Sequence, residues 1–147
     1  MKSEPSILLI DDMPEHEAYL RMMKLDAEGW TVECVIDATV SGALAEARRK
    51  VRQYGGFSVI VLDILWKHNK YGGCEIIMRL WKSCGKRVPA RRVLIVTRGG
   101  IRGDPVLEQL AEKLRIPLEM RSFQLETAHG RDRLKRAVQR TWQEVAP

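Results

Sequence analysis

A chain of 147 residues, 45% of them apolar and with a net charge of +6, is long enough to bury the core of one domain. No apolar run reaches the length of a bilayer span, and Met1–Pro5 leads straight into a strand pattern without a signal-peptide core. Cys34, Cys74 and Cys84 show no CxxC or metal spacing, and His16, His68 and His129 stand far apart with no ligand motif, so the thiols read as packing residues of a reducing cytoplasm.

The first strand is predicted over 6–10, ending in Asp11-Asp12. Asp12, Pro14 and Glu15 read as a helix start with Asp12 as the cap, and Ala18, Met22 and Leu25 mark the buried face of a helix ending at Glu28-Gly29. Thr31–Ile36 alternates and is rich in β-formers, which makes it strand two. Val40, Ala43, Leu44, Ala47 and Val51 then recur at helical spacing until Gly55-Gly56. Strand three is predicted over 57–62, a continuous apolar run that ends in Asp63 and reads as buried on both faces. After a long loop to Gly73, helix three runs from about Cys74 to Ser83, with Ile76, Ile77, Leu80, Trp81 and Cys84 inward and Gly85 as its stop. Arg92–Thr97 is strand four, helix four starts at Pro105 and buries Leu107, Leu110, Ala111 and Leu114, and 117–120 is a short strand five. The last helix runs from about 126 or 129 to Glu144, with Leu134, Ala137, Val138 and Trp142 inward. Two basic stretches, 86–102 and 131–140, read as a solvated face.

Five strand–helix repeats with right-handed crossovers specify an α/β fold with helices on both faces of a parallel sheet. The flavodoxin-like (βα)5 three-layer sandwich, with strand order 2-1-3-4-5, is the expected architecture, as a single domain over 1–147 with its core at about 5–143. That order sets strands one and three side by side and brings Asp11, Asp12 and Asp63 into one cleft at the carboxyl edge. Three carboxylates in one pocket require a cation or a shared proton. An all-oxygen set with room for water suits Mg²⁺. A carboxylate at Asp63 could act as a nucleophile toward phosphorus, with Thr97 donating a hydroxyl hydrogen bond and Arg121 supplying positive charge.

On these residues the chain resembles the receiver domain of bacterial two-component response regulators. Ile7–Asp12 is similar to the family's first strand and acidic pair, Val59–Asp63 to its phospho-acceptor strand, and Val93–Thr97 to the strand carrying its switch hydroxyl. The resemblance implies that Asp63 accepts a phosphoryl group from a histidine kinase or phosphotransfer protein. It further implies that Mg²⁺ is held by Asp11, Asp12, Asp63 and the backbone carbonyl of Leu65, and that Thr97 follows the phosphoryl oxygen. It implies a phosphoprotein of cytoplasmic signal transduction, with no catalysis beyond its own phosphotransfer and dephosphorylation. The surface that changes would be the helix four, strand five, helix five face, read by a downstream protein or used for homodimerisation.

Four departures from the family pattern stand out. Arg121-Ser122 replaces a Lys-Pro pair, and arginine is not a simple substitute for lysine. Arg98 stands where a small residue is usual, Leu118 where an aromatic switch residue is usual, and the loop after Asp63 is a residue or two longer and lacks a proline. Trp66–Tyr71 is therefore expected to be a partner-specific surface, while Trp30, Trp81 and Trp142 are expected to pack. The competing expectation is a pseudo-receiver, in which Arg98 and Arg121 neutralise the pocket without a metal and the domain serves as a constitutive interaction module. A weaker one is nucleic-acid binding through Arg131, Arg133, Lys135, Arg136 and Arg140, without a recognition motif in support.

Overall fold

The apolar runs of the sequence fold as adjacent parallel strands. The computed structural model describes residues 4–89, 92–96, 105–113 and 123–145. Its described strands are β1 (Ser6–Asp11), β2 (Thr31–Ile36), β3 (Val59–Asp63) and β4 (Val93–Val96), hydrogen-bonded in parallel in the order β2-β1-β3-β4. The described helices are α1 (Pro14–Arg21), α2 (Val40–Tyr54), α3 (Gly72–Cys84), α4 (Pro105–Lys113) and α5 (Ala128–Val145). This is the expected flavodoxin-like arrangement. The strand expected at 117–120 lies outside the described residues, as do Thr97, Arg98, Leu114, Leu118, Arg121 and Ser122.

Strand side chains alternate between the two faces. Leu8, Ile10, Ile60 and Leu62 pack on one side with Ala43, Leu44, Ala47 and Val51 of α2 and Ile76, Ile77 and Leu80 of α3. Ile7, Leu9, Val59, Val61, Leu94 and Val96 pack on the other side with Leu20 of α1 and Leu134, Ala137 and Val138 of α5. The helix–sheet–helix layers follow from this division. Both central strands are buried at nearly every position, so their side chains are apolar without interruption until the carboxylates at their ends.

Local chemistry fixes the element ends. Thr39 caps α2 by accepting the Gly42 N–H at 3.1 Å, and Gly55 closes it in the left-handed region with φ 71°. β3 starts at Val59 rather than Phe57, because the Ser58 N–H is taken by the Ser6 hydroxyl at 3.1 Å and the Ser6 N–H by the Ser58 hydroxyl at 2.9 Å. α1 ends at Arg21, well before Glu28, with Lys24 in the left-handed region at φ 55°.

Of the buried face expected for the first helix, Leu25 is buried, beyond the end of α1, but the two residues within reach of the helix itself are not inward. Ala18 and Met22 are exposed, and the inward residues are His16 and Leu20, with Met23 just beyond the helix. The spacing 16, 20, 23 is a proper helical stripe, but a histidine occupies its first position, so an apolar pattern does not reveal it. Asp12 does not cap α1 either. The N-cap is Met13, which makes no side-chain capping bond, and Pro14 takes the first helical position, where no amide is missed.

Candidate functional site

The site lies at the carboxyl edge of β1 and β3. The last paired residues there are Ile10 and Leu62, and the next on each strand are Asp11 and Asp63. Alternation directs both toward the layer holding α1 and α5, which is why two carboxylates from separate strands meet. Asp11 is fully buried, and Asp63 is 5% exposed.

Each carboxylate is held by main-chain donors. Asp11 Oδ1 accepts the Met13 N–H at 2.8 Å, and its Oδ2 lies 2.5 Å from His16 Nδ1. Asp12, half-buried, accepts the Lys67 N–H through Oδ2 at 2.8 Å. Its Oδ1 is buried and has no hydrogen-bond partner. Asp63 Oδ1 accepts the Leu65 N–H at 3.2 Å. Burial pushes the Asp63 carboxyl up to about 9, and the charges of Asp11 and Asp12 push in the same direction. The single amide from Leu65 pulls the other way and does not offset burial and repulsion.

The loop after Asp63 is organised from beneath. Trp66 is buried, and its indole N–H donates to the Asp63 carbonyl at 2.8 Å. Trp66 does not belong to the surface expected at 66–71: it is a core residue beside Val40 and Gly72, and the exposed part of the loop is 67–70. Gly73 is required where it stands. A Cβ there would clash with the Asp63 carbonyl oxygen, so only glycine lets the first turn of α3 approach the end of β3.

Of the residues expected at the site, Asp11, Asp12, Asp63 and Leu65 are brought together; Thr97 and Arg121 lie outside the described residues. The structure adds His16. Asp11, His16 and Asp63 each offer a ligand atom, all within 4.8 Å of one another and all buried. An orphaned buried oxygen on Asp12 beside this group, and the mutual repulsion that raises Asp63, suit a pocket completed by a divalent cation. Apolar periodicity gives no signal for His16, because it is a polar residue on the inward stripe that it shares with Leu20.

Other candidate features have structural duties. Trp30 and Trp142 meet edge to face with centroids 6.3 Å apart, and the Trp81 indole donates to the Val88 carbonyl at 2.8 Å. The basic residues of α5 are largely engaged within the protein. Arg131 donates to the Leu125 carbonyl and lies over Tyr19, Arg133 lies over Phe123, and Lys135 and Arg136 pair with Glu28 and Asp132. Burial pushes the Cys34 thiol up to about 12, which leaves it without thiolate character. Among the described residues, no helix is long and apolar enough to cross a membrane.

No protein-family model matches the sequence, and no curated protein matches it. Solved structures do. The chain is similar to the Vibrio cholerae chemotaxis protein CheY4, with 21% identity and a TM-score of 0.61, covering 95% of this chain and 99% of that one. It is similar to a two-component response regulator of the LuxR family from Aurantimonas, with 21% identity and a TM-score of 0.63, covering 97% and 87%. It is also similar to a CheY-like response regulator receiver domain protein from Methanospirillum hungatei, with 18% identity and a TM-score of 0.60, covering 97% and 99%. At these identities the likeness establishes a receiver-type fold.

Proposed function

We propose that this chain is a phosphorylatable receiver of two-component signalling, with Asp63 as the phospho-acceptor. The observation that carries the reading is the convergence of Asp11, Asp12 and Asp63 at the carboxyl edge of a receiver-type sheet. A carboxylate oxygen of Asp63 attacks the phosphorus of a donor phosphohistidine, the P–N bond breaks as the P–O bond forms, and the released imidazole takes up a proton. Mg²⁺ held by Asp11, Asp12, Asp63 and the Leu65 carbonyl would neutralise charge on the incoming phosphoryl group.

The protein's own residues supply the rest. Burial makes the pocket a weak screen, so donors there act strongly on developing charge. Asp63, pushed up to about 9, loses its proton once positive charge enters the pocket. The Leu65 N–H and the Trp66 indole hold the acceptor's carboxyl and carbonyl in place. Thr97 would bond a phosphoryl oxygen, and Arg121 would clamp others. Phosphorylation then biases an existing equilibrium of the face formed by α4, the fifth strand and α5, which a downstream protein reads or a second copy joins. The donor is a histidine kinase or phosphotransfer protein of the cytoplasm, and the chain catalyses nothing beyond its own phosphotransfer and dephosphorylation.

The test is intact mass after incubation with a small-molecule phosphodonor and Mg²⁺, beside Asp63→Ala. A gain of one phosphoryl group in wild type alone is the expected result. No gain in a folded, Mg²⁺-exposed wild type at any time point would leave the pseudo-receiver, neutralised by Arg98 and Arg121, as the better reading.

A further inference from the structure

We propose that His16 converts the acidic pocket into a mixed nitrogen–oxygen site that prefers a borderline transition-metal ion of the Zn²⁺ class over Mg²⁺. The inference deepens the receiver reading, because it concerns the same pocket. Three observations carry it. His16 Nδ1 and Asp11 Oδ2 lie 2.5 Å apart, with the imidazole 4% exposed and the carboxylate fully buried. Asp63 brings a third ligand atom within 4.8 Å of both. Asp12 holds a buried oxygen with no partner next to them.

Coordination chemistry makes these atoms selective. Mg²⁺ takes oxygen ligands in near-ideal octahedral geometry and keeps its waters, so an imidazole in the pocket brings it little. Imidazole nitrogen suits Zn²⁺ and its neighbours, and the usual order of affinities also favours them. On binding, the proton between His16 Nδ1 and Asp11 leaves to solvent, and the metal–nitrogen bond takes its place. α1 cannot swing the imidazole away at low cost, since Leu20 and Met23 on the same stripe are buried against the sheet.

The probes are Zn²⁺ and Mg²⁺, measured by competition calorimetry on the whole chain. His68 and His129 are exposed, so the measurements use a His68→Asn, His129→Asn background in which His16 is the one imidazole. His16→Leu should cut the preference for Zn²⁺ over Mg²⁺ by more than about tenfold, the lower end of the loss that removal of an outer-shell partner alone produces. His16→Gln serves if the leucine variant does not fold. X-ray absorption of the Zn²⁺-loaded parent should show imidazole scattering, which His16→Leu removes. An unchanged preference, or bound Zn²⁺ without imidazole scattering, overturns the inference. Mg²⁺-dependent labelling of Asp63, run in parallel, keeps the two readings apart. Labelling without nitrogen ligation leaves the receiver reading standing and removes this one, and nitrogen ligation without labelling does the reverse.

Discussion

Replacing Asp63 by Asn should change the pH dependence of stability more than any other single substitution at the site. The folded protein holds the Asp63 proton up to about 9, whereas an unfolded chain releases it near the ordinary carboxyl value of 3.8. The folded state therefore binds more protons between those limits, and stability falls as pH rises through that window. One proton corresponds to about 1.4 kcal/mol per pH unit, so two units from pH 5.5 to 7.5 give a ceiling of about 3 kcal/mol. Sharing of charge with Asp11, Asp12 and His16 reduces the effect to about 1–2 kcal/mol. The assay is urea unfolding at both pH values in a chelator, for wild type and Asp63→Asn. Both proteins retain Asp11, Asp12 and His16, so the difference between their profiles reports Asp63 together with its coupling to those groups. Wild type should lose about 1–2 kcal/mol more than the variant as pH rises, and Mg²⁺ or Zn²⁺ should return that loss to wild type only. Parallel profiles would refute the account of Asp63 as a carboxyl held protonated by burial and by its neighbours.

Two further substitutions probe the loop after Asp63. Gly73→Ala drives a methyl group into the Asp63 carbonyl and the Ile64 Cα at 2.8 Å; thermal unfolding should show a loss of several kcal/mol, and a loss within experimental error would sink the close-approach role of Gly73. Trp66→Phe removes the indole donor to the Asp63 carbonyl and should cost about 1–2 kcal/mol, whereas Trp66→Ala should cost about 3–5 kcal/mol, both read from urea midpoints. A Trp66→Phe cost near zero would mean that packing alone holds Trp66, and equal costs for the two would mean that the indole hydrogen bond does.

Most of the sheet is legible from the run of apolar residues because β1 and β3 are covered on both faces. Burial leaves no room for polar residues until the strand ends, so Asp11 and Asp63 announce themselves by contrast. α2 is legible for the opposite reason: it is half-exposed, and Ala43, Leu44, Ala47 and Val51 stand out as a stripe. α1 misleads because its inward stripe starts with a histidine whose partner, Asp11, is supplied by tertiary contact. No local propensity encodes that pairing. Trp66 misleads in a related way. It sits in a polar loop by sequence, but the three-dimensional path of the loop turns it under Asp63 and against Gly72.

The loop after Asp63 and the acidic pocket are not separate features. The indole of Trp66 fixes the Asp63 main chain, and the next residue, Lys67, gives its N–H to Asp12 Oδ2. The exposed tip at 67–70 is thereby anchored at its start by a carboxylate of the pocket. Asp12 keeps Oδ1 in reserve, buried and without a partner. A cation taking Oδ1 would therefore leave the Lys67 bond to Oδ2 intact and fix the carboxylate that accepts it. Ligation and loop order should then rise together. Amide hydrogen exchange at Lys67 measures this directly: protection should increase when Mg²⁺ or Zn²⁺ is added to wild type and should not respond in Asp12→Asn. Faster exchange on metal addition would mean that the cation takes Oδ2 and releases the loop, which would make the tip a reporter of an emptied pocket rather than a filled one.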